Sequence, residues 1–284
     1  MENNKSGQKD YKRILTIQDI SCVGLCSLTV ALPILSACGV ETCVLPSAVL
    51  STHTAGFKGF TFRDLTDDMP AICDHWVREG IRFDGVYTGY LGSATQIDHC
   101  LRIASETSAP GALLIVDPAM ADNGKLYTGF DMDFVGEMKR LVAKADIVLP
   151  NITEACFLTG VPYKEEYDSQ YVGEVCERLL ALGSKKVVLT GISFEKGYTG
   201  VWVTDGTHTD YYRHVRIEKG CHGTGDVYAS AFAGSLMRGK DAVEAARIAA
   251  DYTVRCILGT QGDPDHWYGV KFEPQLPELI RMLG

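Results

Sequence analysis

Residues Cys221, His222, Gly223, Thr224, Gly225 and Asp226 run straight into a small, apolar, helix-compatible stretch from Val227 to Gly234. A glycine–threonine–glycine turn opening a buried helix points free backbone N–H groups at one spot. The first-turn N–H groups lack internal partners and the helix dipole is positive there, so that spot binds anions. Asp226 places a carboxylate beside it. A base next to a phosphate cradle suits phosphoryl transfer to a hydroxyl. Taken alone, the same four residues also fit an ordinary glycine turn with Asp226 as a helix cap.

Other polar clusters follow short apolar runs. Gln18, Asp19, Ile20 and Ser21 follow the first, and His53, Thr54, Ala55 and Gly56 the second. Thr88, Gly89 and Tyr90 follow the third. Asp117, Pro118 and Asp122 follow the fourth, Pro150, Asn151 and Glu154 the fifth, and Thr190 with Gly191 the sixth. Asp117, Asp122, Asn151 and Glu154 make an acidic and amide set suited to magnesium, which takes oxygen ligands, keeps waters and bridges phosphates to one or two carboxylates. The Asn151/Glu154 spacing equally fits a helix capping box. Asp122-Asn123-Gly124 equally fits a surface turn. His53, Thr54 and Tyr90 could hold a small ring, or be a satisfied loop histidine and a core tyrosine.

The elements that must position these residues alternate. Apolar, β-branched runs near 14–17, 40–49, 85–89, 113–116, 146–149 and 186–190 predict strands covered on both faces. Helix-length segments near 25–38, 64–80, 94–107, 132–145 and 170–183 lie between them. This order predicts a mostly parallel sheet with ligands at the carboxyl ends of its strands. Residues 199–207 and 210–217 read as an antiparallel hairpin turning at Asp205-Gly206. Two helices, near 226–238 and 240–258, come after it. A polar tail over 1–12 and a single domain over 13–284 are expected.

Composition narrows the partners. The 284 residues carry a net charge of −9 without basic runs, which argues against nucleic acid and anionic membrane. The first twelve residues lack an apolar segment, so no secretory leader is expected. Ten cysteines without zinc-ligand spacing then suggest free thiols in a reducing cytoplasm.

Together these pieces resemble the ribokinase-like superfamily and, within it, the pyridoxal (vitamin B6) kinases, over about residues 13–283. The resemblance is carried by Thr16-Ile17-Gln18, the segment from Ser51 to Phe57, Thr88-Gly89-Tyr90, Val116-Asp117-Pro118 with Asp122, Pro150-Asn151 with Glu154, and Gly223 to Asp226. It implies a three-layer α/β sandwich: a mostly parallel central sheet, an antiparallel edge hairpin and helices on both faces. It also implies ATP-dependent phosphorylation of the 5′-hydroxymethyl group of a vitamin B6 vitamer. In that pattern Asp226 is the base, and the backbone of Gly223, Thr224 and Gly225 is the anion hole. Asp117, Asn151, Thr190 and Thr224 line the nucleotide phosphates, and Asp122 and Glu154 act on magnesium, mostly through water. Asp19, Thr54 and Tyr90 face the acceptor with His53 close by, and 123–127 forms a lid. A potassium ion and a homodimer also belong to the pattern. Asp19 stands where many such kinases carry serine, and Leu149 where threonine is common. Cys221 is expected to pack. The alternatives are a hydroxymethylpyrimidine or sugar kinase of the same fold, and a vitamer carrier without turnover.

Overall fold

The computed structural model describes residues 11–217 and 222–284, so Cys221 and most of the expected polar tail lie outside it. The described residues form a nine-stranded sheet. Its parallel members are β1 (Arg13–Val23), β2 (Glu41–Thr52), β4 (Phe83–Thr88), β5 (Ser108–Val116), β8 (Ile147–Val148) and β9 (Val187–Ile192). One edge carries the expected hairpin, β10 (Tyr198–Thr204) and β11 (Thr209–Val215), turning at residues 205–208. The other carries a short antiparallel strand, β3 (Phe62–Asp64). The spatial order is β11-β10-β9-β8-β5-β4-β1-β2-β3. A separate two-stranded ribbon joins β6 (Ala121–Asp122) to β7 (Lys125–Leu126).

Alternate residues of the central strands feed two cores. Ile14, Tyr87, Ile115, Leu149 and Val188 face α1 (Leu28–Ala37), α7 (Thr224–Met237), α8 (Ala242–Thr260) and α9 (Leu276–Leu283). Leu15, Ile17, Val86, Val116, Val148 and Leu189 face α2 (Met69–Arg78), α3 (Ala94–Thr107), α4 (Met132–Val142), α5 (Ile152–Thr159) and α6 (Ser169–Ala181). This two-sided burial explains why the strands read as unbroken apolar runs.

Several boundaries differ from expectation. β1 runs on to Val23, so Gln18, Asp19 and Ser21 lie within a strand rather than in the loop after it. Pairing with β2 continues past an irregularity between Gln18 and Ile20, and strand hydrogen bonding outcompetes the polar composition. Strand β3, the β6–β7 ribbon and α9 were not expected, each being too short for periodicity to reveal it, and α5 was signalled only by its capping-box spacing.

Helix α7 is buried on nearly every side, from Val227 to Met237. That is possible only because its residues are small. A Cβ at Gly234 would stand 2.5 Å from the Cys38 sulfur and 3.6 Å from Leu35 of α1. Gly234→Ala is therefore expected to lower the melting temperature by an amount equivalent to about 1–3 kcal/mol, the usual range for overpacking. Cys38→Ala in the same chain should recover part of that loss. Thermal melts of both single variants and the double variant read the coupling directly.

Candidate active site

The carboxyl ends of β1, β4, β5, β8 and β9 form the floor of a cleft, and helices α1, α5 and α7 begin at its rim. Asp226 occupies the first turn of α7, whose N-cap is Gly223 in the left-handed region at φ 78°. The first intrahelical bond at this end runs from Val227 N–H to Gly223 O, so the N–H groups of Thr224, Gly225 and Asp226 precede it. The turn is seated on the chain after β1: a Cβ at Gly223 would lie 1.9 Å from the Leu25 carbonyl oxygen. Only glycine fits both the φ and that contact.

Ser27, just before α1, is a residue that sequence reasoning missed. It holds φ 52°, a left-handed conformation uncommon for serine. Its backbone N–H is within hydrogen-bonding reach of the Asp226 carboxylate, and its hydroxyl within reach of Asp19. Asp226 is thus approached by the amino ends of two helices, α7 and α1. A serine preceding an apolar helix is an N-cap signal. Here the signal was hidden by expecting the helix to start at residue 25.

Asp19 is 6% exposed and accepts a hydrogen bond from the Ser21 hydroxyl at 3.1 Å. Burial pushes its carboxyl up, against the pull of the Ser27 and Ser21 hydroxyls. Asp226 and Asp117 keep some solvent contact at the cleft floor. Burial among protein atoms pushes Asp226 up to about 7, and the charges of Asp117 and Asp19 add to the effect. Burial likewise raises Asp117, whose Oδ1 accepts the Ala119 N–H at 3.1 Å. Glu154, 3% exposed, is raised first by burial and then by the Asp117 charge. Among the described residues, none of these four carboxylates has an ion pair with lysine or arginine.

Asn151 and Glu154 do form the capping box of α5. Glu154 N–H donates to Asn151 Oδ1 at 3.0 Å and Asn151 N–H to Glu154 Oε2 at 2.8 Å. They also tie the segment after β5: Glu154 Oε1 accepts the Met120 N–H at 3.0 Å, and Asn151 Nδ2 donates to Ala121 O at 2.8 Å. Both residues therefore shape the backbone beside Asp117. Thr190 bridges to Asn151 and donates its hydroxyl to Pro150 O at 3.3 Å. Asp122 is exposed on the β6–β7 ribbon, where its carboxylate accepts the Asn123 N–H at 2.8 Å and Asn123 Nδ2 at 2.9 Å. Tyr127, beyond the ribbon, lies where the charges of Glu154, Asp117, Asp122 and Asp226 all bear on its phenol.

Tyr90 lies close enough to Asp19 to feel its charge, and its ring is 5.5 Å from Phe130. His53 is 5% exposed and both of its ring nitrogens are engaged. Nδ1 accepts the Ala55 N–H at 3.1 Å, which leaves the proton on Nε2 to donate to Tyr268 O at 2.6 Å. His53 is thus the satisfied histidine, and it ties β2 to residues 267–269 rather than presenting a nitrogen to the cleft. Phe57, with its ring 5.0 Å from His53 and 4.7 Å from Trp267, extends this aromatic wall. His222 stands with its ring 5.7 Å from His53. Thr54 is exposed in the turn after β2.

Among the described residues, no group of three or more His, Cys, Asp or Glu side chains could hold a metal unaided. The donor set still fits magnesium: uncompensated carboxylates face a helix amino end that can take phosphate. A small cation held mainly by waters and phosphate oxygens suits that arrangement. No described helix is long and apolar enough to cross a membrane.

The phosphomethylpyrimidine kinase family matches residues 32–269. The chain is similar to a candidate phosphomethylpyrimidine kinase of Bacteroides thetaiotaomicron crystallised with pyridoxal. That pair is 37% identical at a TM-score of 0.89, over 94% of this chain and 95% of the other. It is also similar to pyridoxal kinase from Lactobacillus plantarum, 32% identical at a TM-score of 0.88, over 95% and 97% of the two chains. The pyridoxal kinase of Dictyostelium discoideum is 27% identical over 243 residues, which are 80% of this chain and 78% of that protein.

The uncompensated carboxylates carry a stability cost with a defined pH sign. A carboxyl raised in the folded state keeps its proton there, so its contribution is fully present below pH 4. It is lost as pH rises through about 7 for Asp226. Asp226→Asn removes that loss. A rise of this size is worth at most about 4 kcal/mol, and solvent contact at the cleft floor cuts it to about 2. Without nucleotide or metal, the variant is expected to melt roughly 4–8 °C above the parent at pH 8 and level with it at pH 4. Equal melting temperatures at both pH values would contradict the raised carboxyl. Gly223→Ala should instead melt lower at every pH, because the Leu25 carbonyl must move.

Proposed function

The chain belongs to the phosphomethylpyrimidine kinase family, and on that premise we propose that it transfers the γ-phosphoryl group of ATP to the 5′-hydroxymethyl group of a vitamin B6 vitamer. The observation that carries this reading is the carboxylate of Asp226 standing in the open first turn of α7. The pyridoxal kinases of the comparison, and the Bacteroides thetaiotaomicron relative crystallised with pyridoxal, support the choice of acceptor.

In this reading Asp226 takes the hydroxyl proton as the acceptor oxygen attacks. A carboxyl pushed up to about 7 is matched to that task near neutral pH. The backbone N–H groups of Thr224 and Gly225, on the turn fixed by Gly223, receive the charge that builds on the transferring phosphoryl oxygens. Preorganised donors of this kind act without reorganising as the charge develops. Asp117, Asn151, Thr190 and Thr224 line the nucleotide side. Magnesium, when bound, neutralises phosphate charge there. Glu154 holds the backbone at residues 120–121 on that side, and Asp122 on the ribbon would act on the ion through water. Asp19, Tyr90 and Thr54 belong to the acceptor side, with His53 fixing the loop behind them. Residues 123–127 lie where a lid over the nucleotide would be. A potassium ion, a homodimer, a cytoplasmic location and a single domain over 13–284 complete the proposal.

A hydroxymethylpyrimidine is the second acceptor to consider, because the family carries that name. Asp226 stands where such kinases usually place a cysteine, which favours the vitamer.

Coupled ADP release with MgATP is expected on pyridoxal, pyridoxine and pyridoxamine, and not on ribose. Asp226→Ala should lower kcat by about 10²–10⁴-fold with little change in acceptor KM. Turnover on hydroxymethylpyrimidine alone would reassign the acceptor. No ADP above background with any of these compounds would leave a binding protein without turnover.

A further inference from the structure

Beneath the cleft floor, polar side chains stand where the strands otherwise supply apolar core. Alternation from Ile14 puts Thr16 and Gln18 of β1 on the sheet face covered by α7, where Tyr87 of β4 also points. Thr16 is the direct strand partner of Tyr87. These three residues and Ser230 of α7 are all 0% exposed. The Tyr87 phenol comes near the Ser230 hydroxyl and the Gln18 amide, and the charges of Asp117 and Asp226 bear on it. Burial pushes the phenol up, so it keeps its proton.

Gln18 Nε2 donates to Thr16 Oγ1 at 2.9 Å, which leaves Gln18 Oε1 as an acceptor. Tyr87 OH, Ser230 Oγ and Gln18 Oε1 are buried, approach one another without a closed bond, and have no other partner among the described residues. Ser230 differs here from other buried helix hydroxyls. Those of Thr107, Ser235, Thr253 and Thr260 each donate back to the carbonyl four residues earlier. The Ser230 hydroxyl makes no such bond to Asp226 O. A small side-chain rotation closes one order that satisfies all three atoms: Ser230 O–H to the Tyr87 oxygen, and Tyr87 O–H to Gln18 Oε1.

Helix α7 needs such a contact. Ala229, Ala231, Ala233 and Gly234 are among its buried residues. Small side chains let a helix approach closely, but they do little to fix its rotation or its slide. A buried polar contact can supply that register. Asp226 lies four residues before Ser230, on the same face of the helix, so whatever fixes Ser230 also fixes the carboxylate and the N–H groups beside it. We propose that Tyr87 is a positioning residue for the phosphoryl-transfer site: its phenol links Ser230 of α7 to Gln18 of β1 and so sets the register of the helix that carries Asp226. Being fully buried, it acts through Ser230 and touches no substrate. This deepens the kinase reading of the cleft and rests on it.

The test is a double-variant cycle on the full chain: Tyr87→Phe, Ser230→Ala and the two together. Each replacement deletes one hydroxyl and keeps the carbon framework around it. Steady-state ADP release with MgATP and pyridoxal should show kcat lowered about 10- to 100-fold in either single variant, as expected when reacting groups are misplaced by about 1 Å. KM for ATP and for pyridoxal should stay within about threefold of the parent. The double variant should be no slower than the slower single one, because both changes cut the same chain. Hydrogen–deuterium exchange over residues 224–230 should quicken to a similar extent in all three variants, while the central strands stay protected. Melting temperatures within about 4 °C of the parent show that the fold is kept. Unchanged kcat in Tyr87→Phe, additive losses, losses confined to KM, or exchange like that of the parent would overturn the role. If exchange shows the coupling but the parent forms no ADP with any acceptor, the register role stands and the kinase reading falls.

Discussion

The site depends on one close approach: the Leu25 carbonyl lies where any side chain at residue 223 would have to go. That contact presses the chain after β1 against the turn that starts α7. It brings Ser27, at the amino end of α1, to within hydrogen-bonding reach of Asp226. Gly269 completes the seat, since a Cβ there would stand 2.5 Å from the Leu25 Cβ and its backbone bridges to Leu25. Three chain segments far apart in sequence are thus locked where phosphate and hydroxyl would meet. The left-handed Ser27 is the local strain this demands, and such strain persists only where surrounding structure over-determines it.

The cleft is acidic within an acidic protein, yet the proposed donor substrate is an anion. The two facts are compatible because the anion would be received by backbone N–H groups, which carry no net charge and cannot be neutralised by neighbouring carboxylates. In the proposed reaction the carboxylates would serve the other partners: a proton, a metal and the acceptor. Among the described residues, Asp19, Asp117, Asp226 and Glu154 crowd together without lysine or arginine, which costs stability in the empty protein. The cost is offset when cationic partners arrive, a common trade at sites tuned for chemistry.

The aromatic wall shows how a histidine can matter without touching the reacting atoms. His53 has no free nitrogen, but it donates to Tyr268 O and stacks edge-on against Phe57. It also packs so tightly on Gly24 that a Cβ there would be 2.3 Å from its Cδ2. It therefore couples the loop after β2, the chain after β1 and residues 267–269. The last two of these also seat Gly223.

The alternation of apolar runs and helix-length segments determined the parallel sheet, because a strand buried on both faces must be apolar throughout. The turn residues Asp205 and Gly206 marked the edge hairpin, and the glycines around Thr224 marked the anion-binding helix start. These are local properties, written in neighbouring residues. Tertiary structure alone decided that β1 carries Asp19 inside a strand, since pairing with β2 overrides composition. It alone decided that Glu154 spends both oxygens on backbone N–H groups, and that His53 is a tie rather than a ligand. Ser27 was hidden for the same reason: its role exists only where α1, β1 and α7 meet, and no spacing along the chain encodes that meeting.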